Sequence, residues 1–264
     1  MQARTLPAAR GAFWIVAGFQ LYRRNPPLLI MLTLGYLFLV VAFGQLQTIG
    51  SFLLPLALPA LTVMVANGCR ALDSGLPLPR GTLTIGLREQ GMALLRLGGM
   101  NLVATLVILV IDLALQGGDG GALVGGNQET AASRLEDTEL LWHMLRLLLI
   151  ALPVLLAFWF APLLAAWEKA PAAKALFFSM VAVWRNWRAF LVYALTVTLI
   201  GVFLPGLLLL FASLLSKSFA EVLSVALRML LFLLLAPVLM TSIYLSYRDV
   251  FVPDPPTEPP ARDV

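Results

Sequence analysis

Apolar residues run through this chain in six long blocks, at about 26–46, 52–71, 94–115, 140–167, 189–210 and 222–244. Each is near the roughly 20 residues that a helix needs to cross a ~30 Å hydrocarbon core. Three shorter stretches, about 10–24, 80–92 and 171–187, set apolar residues at helical spacing among Arg and Lys. That pattern predicts amphipathic helices lying on the membrane surface, each leading into a span. In the first of them, Trp14 is suited to the headgroup level.

Pro26-Pro27 restart the chain as a first-turn signal, whereas Pro55, Pro59, Pro153, Pro162 and Pro237 fall inside apolar blocks. Lipid offers no water to the carbonyls that proline frees, so these prolines predict kinks buried where neighbouring helices can re-satisfy the backbone. The expected fold is all-α, a polytopic bundle of six transmembrane helices with interfacial helices. It forms a single six-helix domain over 1–252, and a Pro-rich, disordered cytoplasmic tail follows over 253–264. Ser213 to Glu221 reads as a short outside turn.

Composition agrees: 60% hydrophobic residues, 12% charged residues and a mean hydropathy of +0.91 lie far from a soluble domain. The net charge of +4 does not point to nucleic acid, because the basic residues sit where the spans end. Of 18 Lys and Arg, only Arg134, Arg146, Lys217 and Arg228 fall on one side of the bilayer; the rest share the side of both termini. The positive-inside rule therefore predicts cytoplasmic N- and C-termini in a bacterial inner membrane. The polar residues Gln20, Arg23, Arg24 and Asn25 interrupt the N-terminal apolar stretch, so it does not read as a cleaved signal peptide. Cys69 is the only cysteine, which leaves no intrachain disulfide.

A surface segment followed by a span and a proline-bearing partner span occurs three times, which raises the possibility of a threefold internal repeat. The partners share Leu58-Pro59-Ala60-Leu61, Ala161-Pro162-Leu163-Leu164 and Ala236-Pro237-Val238-Leu239. Arg70 follows Pro59 at the same distance as Arg248 follows Pro237.

Candidate chemistry is sparse. Asp112, Arg146 and Arg228 lie near the outer ends of their spans, either as an acid–base cluster or, as favoured here, as groups reaching the headgroups separately. Glu168-Lys169 reads as a solvated turn, and Asn67 and Asn101 as interhelical hydrogen-bonding amides. Gly117 to Gly126 lacks the Lys-Ser/Thr of a phosphate loop and reads as a flexible outside linker. His143 is the only histidine, so neither a zinc site nor a Ser-His-Asp arrangement is expected. No enzyme, cofactor or metal is expected. The expected partners are the lipid bilayer and other membrane proteins, with no nucleic acid. Assembly or envelope organisation is the leading role, and a small-solute transporter or channel with a cavity at the level of Pro59, Pro162 and Pro237 is the alternative.

Two stretches are distinctive. Phe160-Ala161-Pro162 followed by Trp184-Arg185-Asn186-Trp187-Arg188-Ala189-Phe190, and Ser246-Tyr247-Arg248-Asp249-Val250-Phe251, resemble an uncharacterised proteobacterial family of six-span inner-membrane proteins. More loosely, the chain is similar to the membrane-anchor region of bacterial glycerophosphodiester phosphodiesterases, without their soluble catalytic domain. The resemblance implies a six-helix membrane protein and supplies no catalytic residues.

Overall fold

The computed structural model describes residues 3–75, 81–115 and 137–251, and these form helices and turns with no strand among them. The glycine-rich loop and the C-terminal tail singled out in the sequence lie outside the described residues. In chain order the helices are α1 (Arg10–Arg24), α2 (Pro26–Gly44), α3 (Gln47–Asp73), α4 (Gly91–Leu115), α5 (Asp137–Phe158), α6 (Ala161–Trp167) and α7 (Ala172–Arg185). Two long helices follow, α8 (Trp187–Leu215) and α9 (Lys217–Phe251). Six stretches are long and apolar enough to cross a bilayer: Pro26–Gly44, Phe52–Asp73, Gly91–Leu115, Trp142–Trp167, Trp187–Leu215 and Lys217–Phe251. Their outward faces are apolar, with residues such as Leu195, Phe203, Phe211 and Leu214 exposed, as lipid-facing surface requires.

Three expectations need correction. The chain over 81–90 is a one-turn 3-10 helix, Thr82–Thr84, and turns, not a surface helix, because Gly81 and Gly86 adopt φ of 94° and 78°. The outside turn expected at Ser213 to Glu221 shrinks to Ser216, extended at φ −167°, between α8 and α9. The sixth span also lengthens: 35 residues rise about 52 Å, some 20 Å beyond a hydrocarbon core, so one end of α9 leaves the lipid. Along α9, most side chains from Pro237 to Val250 are buried in protein, while the stretch from Lys217 to Leu233 is largely exposed.

The chain folds as two compact units. A terminal unit takes residues up to Leu37, Val65–Leu83 and Trp184 onward; a central unit takes Phe38–Met64 and Thr84–Val183. In the terminal unit, α1 runs antiparallel to the Ala236–Phe251 end of α9 and also packs on the start of α8. Its buried stripe is Gly11, Trp14, Ile15, Gly18 and Leu21, the i, i+3, i+4, i+7 pattern of one helix face. Glycine is required twice on that face. A Cβ at Gly11 would strike the Ala189 carbonyl oxygen, and one at Gly18 would come within 2.9 Å of the Val238 carbonyl oxygen. Trp14 is therefore covered by protein at 1% exposure, not placed among headgroups, and its ring packs edge-on against Phe190. In the central unit, a Cβ at Gly98 of α4 would meet the Leu56 backbone at 2.5 Å, which explains one of the two adjacent glycines there.

The helix α7 repeats the pattern of α1. With Asn25 aligned on Asn186, the buried Gly11, Trp14, Gly18 and Leu21 fall on the buried Ala172, Ala175, Ser179 and Ala182. Both helices end at an Arg-Asn junction into a span, Arg24-Asn25 and Arg185-Asn186. The match joins the first and third surface segments of the repeat read from the sequence, while the segment before α4 forms no such helix.

Candidate functional site

A proline inside a helix strands the carbonyl four residues earlier, and for Pro59 and Pro237 that carbonyl is answered by a side chain from elsewhere. Pro59 frees the carbonyl of Pro55, and the Asn101 amide of α4 donates to it at 3.4 Å. Pro237 frees the carbonyl of Leu233, and the Tyr22 hydroxyl of α1 donates to it at 3.3 Å. Leu233 lies in a π-helical turn, Leu231–Leu235, that ends just before Pro237. A matching π turn, Leu199–Phe203, precedes Pro205 in α8, so the same proline-linked distortion occurs in both arms of the hairpin.

The helix break just before Pro162 is bridged in another way. Between α5 and α6 the helix opens at Trp159 and Phe160. Ser179 of α7 inserts its hydroxyl there: Oγ accepts the Phe160 N–H at 2.9 Å and donates to the Leu156 carbonyl at 3.1 Å. One hydroxyl thus replaces the missing Phe160-to-Leu156 bond of the ladder. Ser179 and Phe160 are both fully buried. Around Pro162, Ala161 to Ala166 are all buried and uniformly apolar. Near Pro237, Thr241 Oγ1 donates to the Gly18 carbonyl at 3.1 Å, and Tyr193 shares a 2.8 Å hydrogen bond with Ser242.

Trp184 to Phe190 and Ser246 to Phe251 meet the N-terminal segment in the terminal unit. Asp249 receives three donors on one carboxylate oxygen: Arg10 Nε at 2.9 Å, Arg10 Nη2 at 2.6 Å and Trp14 Nε1 at 2.8 Å. Charge-assisted bonds of this kind are roughly twice as strong as neutral ones. The adjacent Arg248 donates to Asp73 at 2.6 Å, and Tyr244 donates to the same carboxylate oxygen at 2.9 Å. Arg24 Nη1 lies 3.9 Å from the other Asp73 oxygen and donates to the Asp73 carbonyl at 3.2 Å. Asp73 thus ties the ends of α1, α3 and α9 together.

Asn186 is 1% exposed, and its amide holds the N-terminal segment in both directions. Oδ1 accepts the Leu6 N–H and Nδ2 donates to the Arg4 carbonyl, each at 2.8 Å. The Arg4 N–H in turn donates to the Val250 carbonyl at 3.0 Å. The flanking Trp184 and Trp187 are exposed, with Arg188 5.5 Å from the Trp187 ring centre.

In the central unit Asp112 is buried and paired, not placed among headgroups: Arg146 Nη2 lies 3.1 Å from its Oδ1 and also bonds His143 Nδ1 at 2.9 Å. A carboxylate withdrawn from water needs such a partner. Arg228 donates to the Ser224 carbonyl and hydroxyl of its own helix at 3.2 and 3.0 Å. Glu168 and Lys169 form an exposed turn, with Lys169 at φ 54°. Sequence reading missed Asp73 and the donor role of Trp14, Tyr22 and Ser179. The available signal was the small residues at helical spacing along α1 and α7, each helix carrying a single hydroxyl, Tyr22 and Ser179.

The chain is 33% identical over 204 residues to a probable inner membrane protein of Burkholderia thailandensis, an alignment covering 74% of each chain. No family model matches the sequence, and no solved structure matches it.

Proposed function

Because the chain belongs to the inner-membrane protein family of its Burkholderia thailandensis relative, we propose that it is a non-catalytic organising protein of that membrane, with both termini in the cytoplasm. The observation that carries this reading is the use made of the polar groups at the proline level. Asn101, Ser179 and Tyr22 each supply a hydrogen bond to a broken backbone, which leaves them engaged in helix packing. The charged groups of the terminal unit are likewise committed to fastening helix ends, Arg10 to Asp249 and Arg248 to Asp73. A single domain over the six spans and association with other membrane proteins complete the proposal.

In-membrane crosslinking followed by purification tests it. The expected result is recovery of partner membrane proteins in near-stoichiometric amount, with no solute flux above empty liposomes from the purified chain. Flux without partners would replace this reading with the transporter alternative.

A further inference from the structure

We propose that the N-terminal segment and the α7–α8 junction form a docking surface for anionic phospholipid headgroups of the leaflet that borders them. This names a partner for the organising role above and rests on the basic side of the protein being the cytoplasmic one. The surface is built in the terminal unit. Asn186 pins Arg4 to Leu6 beside the junction. That brings Arg185 Nη2 within 3.4 Å of Thr5 Oγ1 and places Arg4, Arg185 and Arg188 on one exposed patch. Charge complementarity then selects the occupant. No Asp or Glu occurs between Met1 and Leu72, or between Lys169 and Ala220, so the contributing segments are wholly basic. The neighbouring carboxylate, Asp249, is already engaged by Arg10 and Trp14.

Two features favour lipid over an acidic protein or nucleic acid. Trp184 and Trp187 are 72% and 54% exposed at the very start of a membrane span, the position where indole rings sit among headgroups. The 29 residues of α8 rise about 43 Å, which matches a bilayer including its headgroup layers and puts Trp187 at their edge. Arginine forks suit phosphate oxygens, and each basic residue near an anionic surface raises binding by about fivefold.

The test uses the full chain, purified and stripped of lipid, in mixed micelles containing either phosphatidylglycerol or phosphatidylcholine. Retained lipid is counted by native mass spectrometry. The wild type is expected to retain phosphatidylglycerol at least about tenfold over phosphatidylcholine at low salt, and to lose that preference near 1 M salt, where screening shortens to about 3 Å. Arg185→Gln combined with Arg188→Gln should remove most of the preference, while Arg23→Gln, at an exposed position on α1, should leave it. Equal retention of both lipids by the wild type, or selectivity unchanged in the double variant, overturns the proposal. Should the double variant not fold, the salt dependence of the wild type decides. Tight binding of an anionic protein or of nucleic acid with no lipid preference would also overturn it. Crosslinked partners and flux are separate readouts, so failure here leaves the organising role standing or falling on its own test.

Discussion

Replacing Ser179 by Ala probes the bridge across the break between α5 and α6. The hydroxyl is fully buried and serves two backbone groups, the Phe160 N–H and the Leu156 carbonyl. Its removal strands both. A buried group left unsatisfied costs about 1–3 kcal/mol, so two set an upper range of about 2–6 kcal/mol. Relaxation lowers that range, because Phe160 and Leu156 can approach to re-form part of the missing ladder bond. Interhelical hydrogen bonds measured inside membrane proteins average only about 0.6 kcal/mol and reach about 1.7 kcal/mol. The expected loss is therefore about 1–3 kcal/mol, since the site combines two groups with complete burial. Thr105→Ala is the control: its hydroxyl bonds back to the Asn101 carbonyl of its own helix at an exposed position, and its loss should cost no more than about 0.5 kcal/mol. Reversible unfolding in mixed micelles measures both. If Ser179→Ala is no more destabilising than Thr105→Ala, the hydroxyl does not repair the break and the reasoning is refuted.

Two further outcomes follow from the terminal unit. Asp249→Asn removes the charge that holds Arg10 and Trp14 and should cost about 1.5–3 kcal/mol, whereas the exposed Glu221→Gln should be near neutral; equal midpoints in micelle unfolding would contradict the role given to Asp249. Gly18→Val should overpack the α1–α9 contact by about 1–3 kcal/mol, while Gly35→Val, where a new Cβ meets nothing within 4 Å, should not; comparable melting of the two would mean that α1 does not approach α9 this closely.

The six apolar blocks and the ranges of α1 and α7 were legible because periodicity and length report directly on helices in lipid. The burial of Pro55, Pro59, Pro162 and Pro237 was legible because lipid favours prolines where protein covers them, but Pro153 of α5 is exposed, against that expectation. What fails is the distinction between protein and lipid as the thing an apolar face meets. Trp14 fits a headgroup as well as a helix groove by composition, and only the glycines at positions 11 and 18 hint at close packing. The ion pairs were hidden for another reason: Arg10 and Asp249 stand 239 residues apart and Asp73 and Arg248 175, and no local pattern links them. The sixth apolar block falls at about 222–244, short of the polar Ser246, Arg248 and Asp249. Those groups are satisfied within protein, so the helix continues.

The orientation of the basic end underlies the functional reading and is open to direct measurement. A single cysteine is introduced at position 123, in the glycine-rich loop, or at the exposed Trp184, in a chain whose native Cys69 is fully buried. A membrane-impermeant maleimide applied to cells with an opened outer membrane and an intact inner one should label position 123 at once, and position 184 only after the inner membrane is permeabilised. Labelling of position 184 from outside, with position 123 protected, would place the basic end and both termini outside and contradict the account.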